Sequence, residues 1–243
     1  MEKSSKILNI KMFIVALCIV SIFSSRGKVP ALYASDTISV SKSIDFKGLK
    51  RTFRVHMPND YDGSKQIPLV FALHGGGGTS EAMEKLTFSE FNRISEKENF
   101  IVVYPDGIEK QWNDGRKFNS KASRENIDDV GFISALIDYF IKKYNIDKDR
   151  VYSTGISNGG FMSFRIACEL SEKVSAVAPV TASLSEDLCT FCKPVKPISV
   201  LIINGTQDKL VPFNGGPVGF PGSKIPKLKE RGVELISLIK LPE

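Results

Sequence analysis

Four short, continuously apolar segments dominate the middle of the chain, and segments with helical patterns separate them. The apolar segments are residues 69–73, 101–104, 174–180 and 198–203. A strand with one solvated face alternates apolar and polar residues, whereas an uninterrupted apolar strand is covered on both faces, as in a parallel sheet. Such strands in alternation with helices predict an α/β fold, a three-layer sandwich with a mostly parallel sheet.

Two of the segments between these strands have amphipathic patterns. The clearer one predicts a helix over residues 129–144, with Asn126 or Asp128 as a suitable N-cap. Its apolar residues recur at helical spacing and form one stripe, namely Ile133, Leu136, Ile137, Phe140, Ile141 and Tyr144. A weaker pattern predicts a helix over residues 80–99, with inward-facing Met83, Leu86, Phe91 and Ile94.

Residues 36–57 precede the apolar segments and predict two strands of a different type. The second of them alternates, so Phe53 and Val55 face one way while Arg54 and His56 face the other. His56 is therefore expected on the solvent side of its strand.

The composition fits one domain with an apolar core. The chain has 243 residues, of which 42% are hydrophobic, and no linker divides it. The net charge is +6, but residues 1–34 hold five basic residues and one acidic residue, so most of the excess lies there. A nucleic-acid partner needs a basic face, and the remaining sequence shows none, so no nucleic-acid partner is predicted.

Residues 1–34 have the pattern of a secretory signal peptide. A basic start is followed by an apolar run over residues 12–23, and Leu32-Tyr33-Ala34 provides a cleavage site. The run is shorter than the roughly 20 residues that span a bilayer. The sequence therefore predicts an exported protein, extracellular or periplasmic, with a domain over residues 35–243 and no membrane association after cleavage. An uncleaved anchor is the alternative.

A G-x-S-x-G pattern occurs where a predicted strand meets a predicted helix. Residues 150–154 form the strand pattern, residues 159–170 form the helix pattern, and Ser157 lies between them. A serine on such a turn is exposed for nucleophilic attack, and the tight turn needs small neighbours, which Gly155 and Gly159 supply. Ser157 is therefore the predicted nucleophile. The alternative is a glycine-rich turn with an unreactive serine.

A run of four glycines follows the first apolar segment, in His74-Gly75-Gly76-Gly77-Gly78. Glycines allow the backbone to approach a reacting carbonyl, so the N–H groups of Gly75 and Gly76, with that of Asn158, are the predicted oxyanion hole. A phosphate-binding loop is the other interpretation of such a run. No Lys-Ser/Thr pair follows it, which excludes that interpretation.

The remaining members of a catalytic triad are harder to find. Asp208 follows the last apolar segment and is the predicted acid, Asp187 is the second choice, and Asp106 fits a turn. Enzymes of this type place a histidine after the acid. The sequence contains two histidines, His56 and His74, and both precede Ser157. His74 is expected to brace the glycine loop by hydrogen bonding, and its use as the base is the alternative.

Three cysteines follow the predicted leader. In an oxidising compartment we expect Cys168 to form a disulfide with Cys189 or Cys192, with Cys192 favoured. Cys189 and Cys192 also have the spacing of a redox motif, but no second pair exists for zinc.

Several ordered motifs together resemble the polyhydroxybutyrate depolymerase-like esterases, a group that includes secreted feruloyl and acetylxylan esterases. The resemblance covers about residues 51–219. It is carried by Leu73-His74-Gly75-Gly76-Gly77-Gly78, Tyr104-Pro105-Asp106-Gly107, Trp112-Asn113-Asp114-Gly115-Arg116, Asp128-Asp129-Val130-Gly131-Phe132, Gly155-Ile156-Ser157-Asn158-Gly159-Gly160 and Asn204-Gly205-Thr206-Gln207-Asp208.

The resemblance implies carboxylic-ester hydrolysis without a metal or organic cofactor, on ester substrates that include polymers, either a polysaccharide or a polyester. It also implies Ser157 as nucleophile, Asp208 as acid and Cys168 paired with the cysteine before Pro194. The family continues past the acid with a helix, a strand and a loop that carries the histidine. The domain over residues 35–243 is therefore expected to be C-terminally incomplete, without its last strand and helix.

Other functions remain open at this stage. A catalytically impaired homologue would act at most as a binding protein, and a redox protein would use Cys189 and Cys192. Trp112 either lines the mouth of the cleft, where it would stack on an aromatic acyl group or a sugar, or is a buried structural residue.

Overall fold

The computed structural model describes residues 39–218, 224–225 and 237–241. The strands are β1 (Val40–Phe46), β2 (Leu49–His56), β3 (Ile67–Leu73), β4 (Ile101–Pro105), β5 (Ile146–Ile156), β6 (Ala176–Val180), β7 (Ser199–Gly205), β8 (Gly216–Pro217), β9 (Lys224–Ile225) and β10 (Ser237–Leu241). The helices are α1 (Ser80–Leu86), α2 (Glu90–Glu98), α3 (Lys121–Arg124), α4 (Asp129–Lys143), α5 (Asn158–Glu169) and α6 (Glu186–Cys189).

Eight of the strands form one sheet in the order β1-β2-β4-β3-β5-β6-β7-β10. β2 pairs antiparallel with both β1 and β4, and every later pairing in this sheet is parallel. β8 and β9 form a separate antiparallel pair. The predicted α/β fold with a mostly parallel sheet is confirmed.

The sheet separates two apolar layers. Leu69, Phe71 and Leu73 of β3 pack into the layer that contains α4 and α5, whereas Val70 and Ala72 pack into the layer of α1 and α2. Because both faces of the strand are covered, apolar residues occupy every position, as the sequence pattern predicted.

The expectation that the last strand would be missing is wrong. Residues Ser237–Leu241 form a parallel edge strand beside β7, in register from Ser237 opposite Leu201 to Leu241 opposite Gly205. An unpaired edge of β7 would expose a row of backbone N–H and C=O groups, and this segment satisfies them. The final apolar stretch of the sequence therefore has a backbone partner earlier in the chain.

Two other expectations lie outside the described residues. They are the signal peptide over residues 1–34 and the missing final helix. Within the part of the chain that the structure describes, no helix is both long enough and apolar enough to cross a bilayer.

The single helix predicted over residues 80–99 is two helices. Phe88 and Ser89 have φ angles of 50° and 54°, which interrupt the helical backbone between α1 and α2. The Thr87 hydroxyl donates to the carbonyl groups of Met83 and Glu84 at 3.1 Å and closes the end of α1. Leu86, expected to face inward, is 44% exposed because it lies on this last turn.

Helix α4 matches its prediction closely. Its N-cap is Asp128, whose carboxylate accepts a hydrogen bond from the Gly131 N–H at 2.7 Å. Phe140 on its apolar stripe contacts Phe53 of β2 edge-on, with ring centroids 5.9 Å apart. The cap closes the start of α4, and the ring contact packs the helix against the sheet.

Candidate active site

Ser157 occupies the sharp turn that the sequence predicted. It follows β5 directly and is the N-cap of α5, with φ 52° and ψ −117°. A positive φ is unfavourable for a residue with a side chain, and such strain persists only where the surroundings hold it. Here the Ser157 N–H donates to the Val180 carbonyl of β6 at 2.9 Å.

The glycines around Ser157 are required by close backbone contacts. A Cβ on Gly155 would lie 2.5 Å from the Gly159 carbonyl oxygen, and one on Gly159 would lie 2.4 Å from the Leu73 carbonyl oxygen. A Cβ on Gly160 would lie 2.6 Å from that of Ala182. The start of α5 therefore packs directly on the ends of β3 and β6, with no room for a methyl group.

We expect Gly159→Ala to lower the free energy of unfolding by about 1–3 kcal/mol, because the added methyl group meets backbone atoms that cannot move aside. Chemical denaturation measures the change. Gly205→Ala is the matched control, since the nearest atom to its added Cβ is 3.9 Å away. Equal losses in the two variants would contradict the close packing of α5 on β3.

The glycine loop lies against Ser157. A Cβ on Gly75 would be 3.7 Å from the Ser157 Cβ, whereas Gly76 faces the side chain of Gln111. Asn158 begins α5, and the N–H groups of a first helical turn have no acceptor within the helix and carry the positive end of its dipole. The structure thus brings Ser157, Gly75 and Asn158 together, and the arrangement can stabilise an anion beside the serine oxygen.

His74 braces this loop. Its Nε2 accepts a hydrogen bond from the Gly107 N–H at 3.0 Å, so Nδ1 carries the proton and donates to the Gly75 carbonyl at 2.7 Å. The ring also packs on Trp112 with centroids 4.9 Å apart. Both ring nitrogens are engaged away from Ser157, which supports the bracing role and leaves none for a general base.

The pH dependence of the free energy of unfolding should reflect the protonation of His74. Burial lowers the pKa of His74 below 6.5, against the opposing effects of the Gly75 hydrogen bond and the Asp106 carboxylate. Because the unfolded state then binds the proton more tightly, stability should fall as the pH drops below 6.5, by up to about 1.4 kcal/mol per pH unit.

A His74→Gln variant provides the measurement. The difference in unfolding free energy between the wild type and this variant should shrink from pH 6.5 to pH 5.5, with His56→Gln as the control for the other histidine. A constant difference across that interval would show that His74 titrates normally in the folded protein.

The expectation for His56 is wrong, since it is buried rather than on the solvent side. Its Nε2 lies 2.9 Å from a carboxylate oxygen of Glu96, and its side chain is 2% exposed. Helix α2 covers this face of β2, which a strand pattern alone does not reveal. His56 is therefore a structural contact between β2 and α2.

The side chain of Asn158 forms a contact that sequence analysis missed. Its Oδ1 accepts from the Trp112 N–H at 2.8 Å, and its Nδ2 donates to the Asp114 carboxylate at 2.6 Å. The Trp112 indole N–H in turn donates to the His74 carbonyl at 2.9 Å. Trp112 is 1% exposed, so it links the glycine loop to α5 and does not line a cleft.

Asp114 is itself held by a buried ion pair. Its carboxylate lies 2.6 Å from the Arg116 guanidinium, and both side chains are at most 5% exposed. The guanidinium also stacks 3.7 Å over the Phe161 ring of α5. Removing one partner of a buried pair costs about 3–5 kcal/mol, so the pair fixes the position of Asp114 beside Asn158.

Asp208 lies in the turn after β7. Its Oδ1 accepts hydrogen bonds from the N–H groups of Leu210 and Val211 at 2.8 and 2.9 Å. The preceding Asn204 is buried and exchanges two 3.0 Å hydrogen bonds with the backbone of Ala182, which follows β6. The loop that carries Asp208 is therefore fastened to the strand beside the Ser157 turn.

The two other acids considered have different contacts. Asp187 lies in α6, 3.5 Å from the ammonium of Lys117. Asp106 accepts from the Ser80 N–H at 2.6 Å and from the Thr52 hydroxyl at 2.8 Å, as a turn residue would. Across the described ranges, no three His, Cys, Asp or Glu side chains cluster as metal ligands would.

The favoured disulfide is present between Cys168 and Cys192, with a Cα–Cα distance of 4.8 Å. It joins the end of α5 to the segment that follows α6. The alternative pairing of Cys168 with Cys189 and the redox pair of Cys189 with Cys192 are both wrong in this structure, because Cys192 bonds to Cys168.

Comparisons with known proteins agree on one family. Residues 44–208 match the family model described as "Putative esterase". Feruloyl esterase B of Piromyces equi is 30% identical over 70% of this chain, and the protein named "Putative esterase NocK" of Nocardia uniformis subsp. tsuyamanensis is 31% identical over 74%. The chain spans only 33% and 52% of the length of these two relatives.

The fold is also similar to that of solved esterase structures. A ferulic acid esterase of Anaeromyces mucronatus, solved in complex with ferulic acid, superposes with a TM-score of 0.55 at 19% identity. The match covers 76% of this chain and 80% of that one. With the family model matched over most of the described residues, and with Ser157 on the predicted strand-to-helix turn, the chain belongs to the esterase family that this model defines.

Proposed function

We propose that the protein is an exported carboxylic-ester hydrolase that uses Ser157 as its nucleophile. The observation that carries the proposal is the backbone of Ser157, held at φ 52° and ψ −117° between β5 and α5. Strain of this kind concentrates at functional sites, and here it presents the hydroxyl at the start of a helix beside Gly75.

The first step is attack of the Ser157 oxygen on the ester carbonyl. The N–H groups of Asn158 and of the Gly75–Gly76 segment hold the negative oxygen of the tetrahedral intermediate, an effect worth about 3–4 kcal/mol for one donor. The alcohol then leaves with the proton that the Ser157 hydroxyl gave up, and water hydrolyses the acyl-serine and returns a proton to the Ser157 oxygen. His74, Trp112 and Asp114 take no part in bond making and keep the two donor segments in place.

Proton transfer requires a histidine, and neither histidine of this sequence meets the requirement. His56 contacts Glu96, and both ring nitrogens of His74 are engaged in the glycine loop. Asp208 is the proposed acid that would orient a histidine base. Its Oδ1 is fixed by two backbone N–H groups, so its carboxylate is already positioned.

The relatives narrow the choice of substrate. Two of those compared carry names that specify feruloyl or ferulic acid esters. We propose polymer-linked esters, feruloyl or acetyl groups on a polysaccharide first and hydroxyalkanoate esters second, as the substrate class. This agrees with an exported protein whose Cys168–Cys192 disulfide is stable in an oxidising compartment.

A second candidate is a binding protein with an impaired triad. The engagement of both histidines away from Ser157 favours it. It predicts that ester ligands are retained beside the Ser157 turn without turnover.

Labelling with a fluorophosphonate probe distinguishes the two candidates. A serine nucleophile reacts covalently, so the proposal predicts an adduct on the tryptic peptide that contains Ser157, formed slowly because neither histidine of this chain is placed to act as its base. Mass spectrometry locates the adduct, and Ser163 of α5, whose buried hydroxyl donates to the Gly159 carbonyl, serves as an internal control. Absence of an adduct at Ser157 after prolonged exposure would favour the binding protein.

A further inference from the structure

A cavity of about 490 Å³ lies beside α5, away from the nucleophile turn. It is lined by residues of the 113–126 segment together with Arg165 and Phe191. Four of the lining side chains are cationic and none is acidic; the cations are Arg116, Lys117, Arg124 and Arg165. A concave surface lined by one sign of charge concentrates ligands of the opposite sign.

The four cationic side chains differ in whether an acidic residue already pairs with them. Arg116 is paired with Asp114, and Arg165 has its Nε 2.6 Å from Glu169. Lys117 is 84% exposed and lies 3.5 Å from Asp187, a loose contact in water.

Arg124 is held differently, by neutral oxygen atoms. Its Nη1 donates to the carbonyl and the side-chain oxygen of Asn119, at 3.3 and 3.1 Å. These contacts orient the guanidinium and leave its charge for a ligand. Guanidinium groups bind carboxylates through paired hydrogen bonds, which gives geometric specificity as well as energy.

The rest of the lining fits a sugar. Asn119, Asn126 and Ser123 line it with amide and hydroxyl groups, which are the donors and acceptors that sugar hydroxyls need. Phe191 is 44% exposed and presents an apolar ring to the cavity. An aromatic wall with a few polar groups that fix orientation is typical of small-ligand sites.

The cavity is physically connected to the nucleophile turn. Asp114 hydrogen-bonds to Asn158, and Gly115 next to it packs against Arg165 and Phe191 of the cavity wall. Arg165 lies eight residues along α5 from Ser157, which is a rise of about 12 Å. A short run of sugar units has enough length to reach from one to the other.

We propose that this cavity binds the carboxylate of a uronic-acid unit in the polymer that carries the ester. The choice of polymer rests on the proposed function, whereas binding of the acidic sugar by the cavity does not. The protein would thereby hold an acidic polysaccharide beside Ser157 and select it over a neutral one.

Isothermal titration of the full chain with tetragalacturonate tests this proposal, with the same oligomer reduced at its carboxyl groups as the neutral probe. We expect binding of the acidic oligomer to be at least tenfold tighter. Arg124→Gln should weaken it at least fivefold. Lys121→Gln is the matched control, because it removes the same charge from the same helix at a residue that pairs with Glu109 and lies outside the lining.

Three results would overturn the proposal. The first is equal affinity for the acidic and the neutral oligomer, and the second is an unchanged affinity for the acidic oligomer in Arg124→Gln. The third is binding of inorganic phosphate that depends on Arg124 and is tighter than binding of the acidic oligomer. The assay measures binding of a probe that has no ester bond. Failure of ester hydrolysis would leave its result intact, and failure of binding would leave the assignment of Ser157 intact.

Discussion

Ser157→Ala is expected to abolish acyl-enzyme formation from p-nitrophenyl acetate and to leave only the residual hydrolysis that the oxyanion hole and binding support. In the described part of the chain, Ser157 is the one serine that combines a strained turn, a helix N-terminus and a neighbouring glycine loop. Removal of a nucleophile eliminates the acyl-enzyme, and in serine proteases that have all three triad members it costs about 10⁶ in rate. Alanine preserves the backbone contacts of the turn, because only the hydroxyl is lost.

The control for this variant is Ser163→Ala. Ser163 lies on the same helix, but its hydroxyl is buried between Ser153 and the Gly159 carbonyl. Its loss should change stability slightly and leave the rate within about twofold. Acyl-enzyme that still forms in purified Ser157→Ala would remove Ser157 from the mechanism and require another nucleophile.

The parts of the fold that could be predicted from the sequence depend on neighbours close in the chain. Continuous apolar runs indicated strands covered on both faces, and β3, β4, β6 and β7 follow from them. The cap of α4 by Asp128 is also local, since its acceptor and donor are three residues apart. The break at Phe88 and Ser89 could not be predicted, because two non-glycine residues adopt a positive φ without any glycine to signal it.

Long-range contacts explain the failures. His56 reads as exposed from the alternation of β2, but α2 covers it with Glu96, which is forty residues later. The final strand was not expected from the sequence. It pairs with β7, and the residues between the two segments give no strand pattern. Packing between elements that are distant in the chain determines the burial of His56 and the pairing of β10. The periodicity of the sequence carries no information about that packing.

In the candidate site too, local features could be predicted from the sequence and long-range contacts could not. The spacing of Gly155, Ser157 and Gly159 indicated the turn, since its geometry is set within five residues. The contacts that support it were not predictable, because Asn158 reaches Asp114 across 44 positions and Asn204 reaches Ala182 across 22. Asp114 and Arg116 stood out only as members of a motif. Which hydrogen bonds a motif makes is decided by the fold around it.

The second large effect concerns the base. Fusion of the histidine-bearing segment of a relative after Leu241 should raise ester hydrolysis by this chain at least a hundredfold. The edge strand β10 ends at Leu241 beside Gly205 of β7, so a following loop would begin on the same edge as Asp208. Loss of one triad member costs about 10⁴ to 10⁶ in rate, while the oxyanion hole and binding alone retain about 10³ over water.

The decisive control is the same fusion with its histidine replaced by alanine, because it adds identical chain and packing without the imidazole. The gain should disappear in that protein. Asp208→Asn should lower the rate in the histidine-bearing fusion, where a carboxylate orients the imidazole and stabilises its charged form. In the unfused chain the same substitution should have almost no kinetic effect. If the unfused chain already turns over esters at an ordinary rate, it contains a base that does not depend on a histidine beside Asp208. His74→Gln then tests whether His74 is that base.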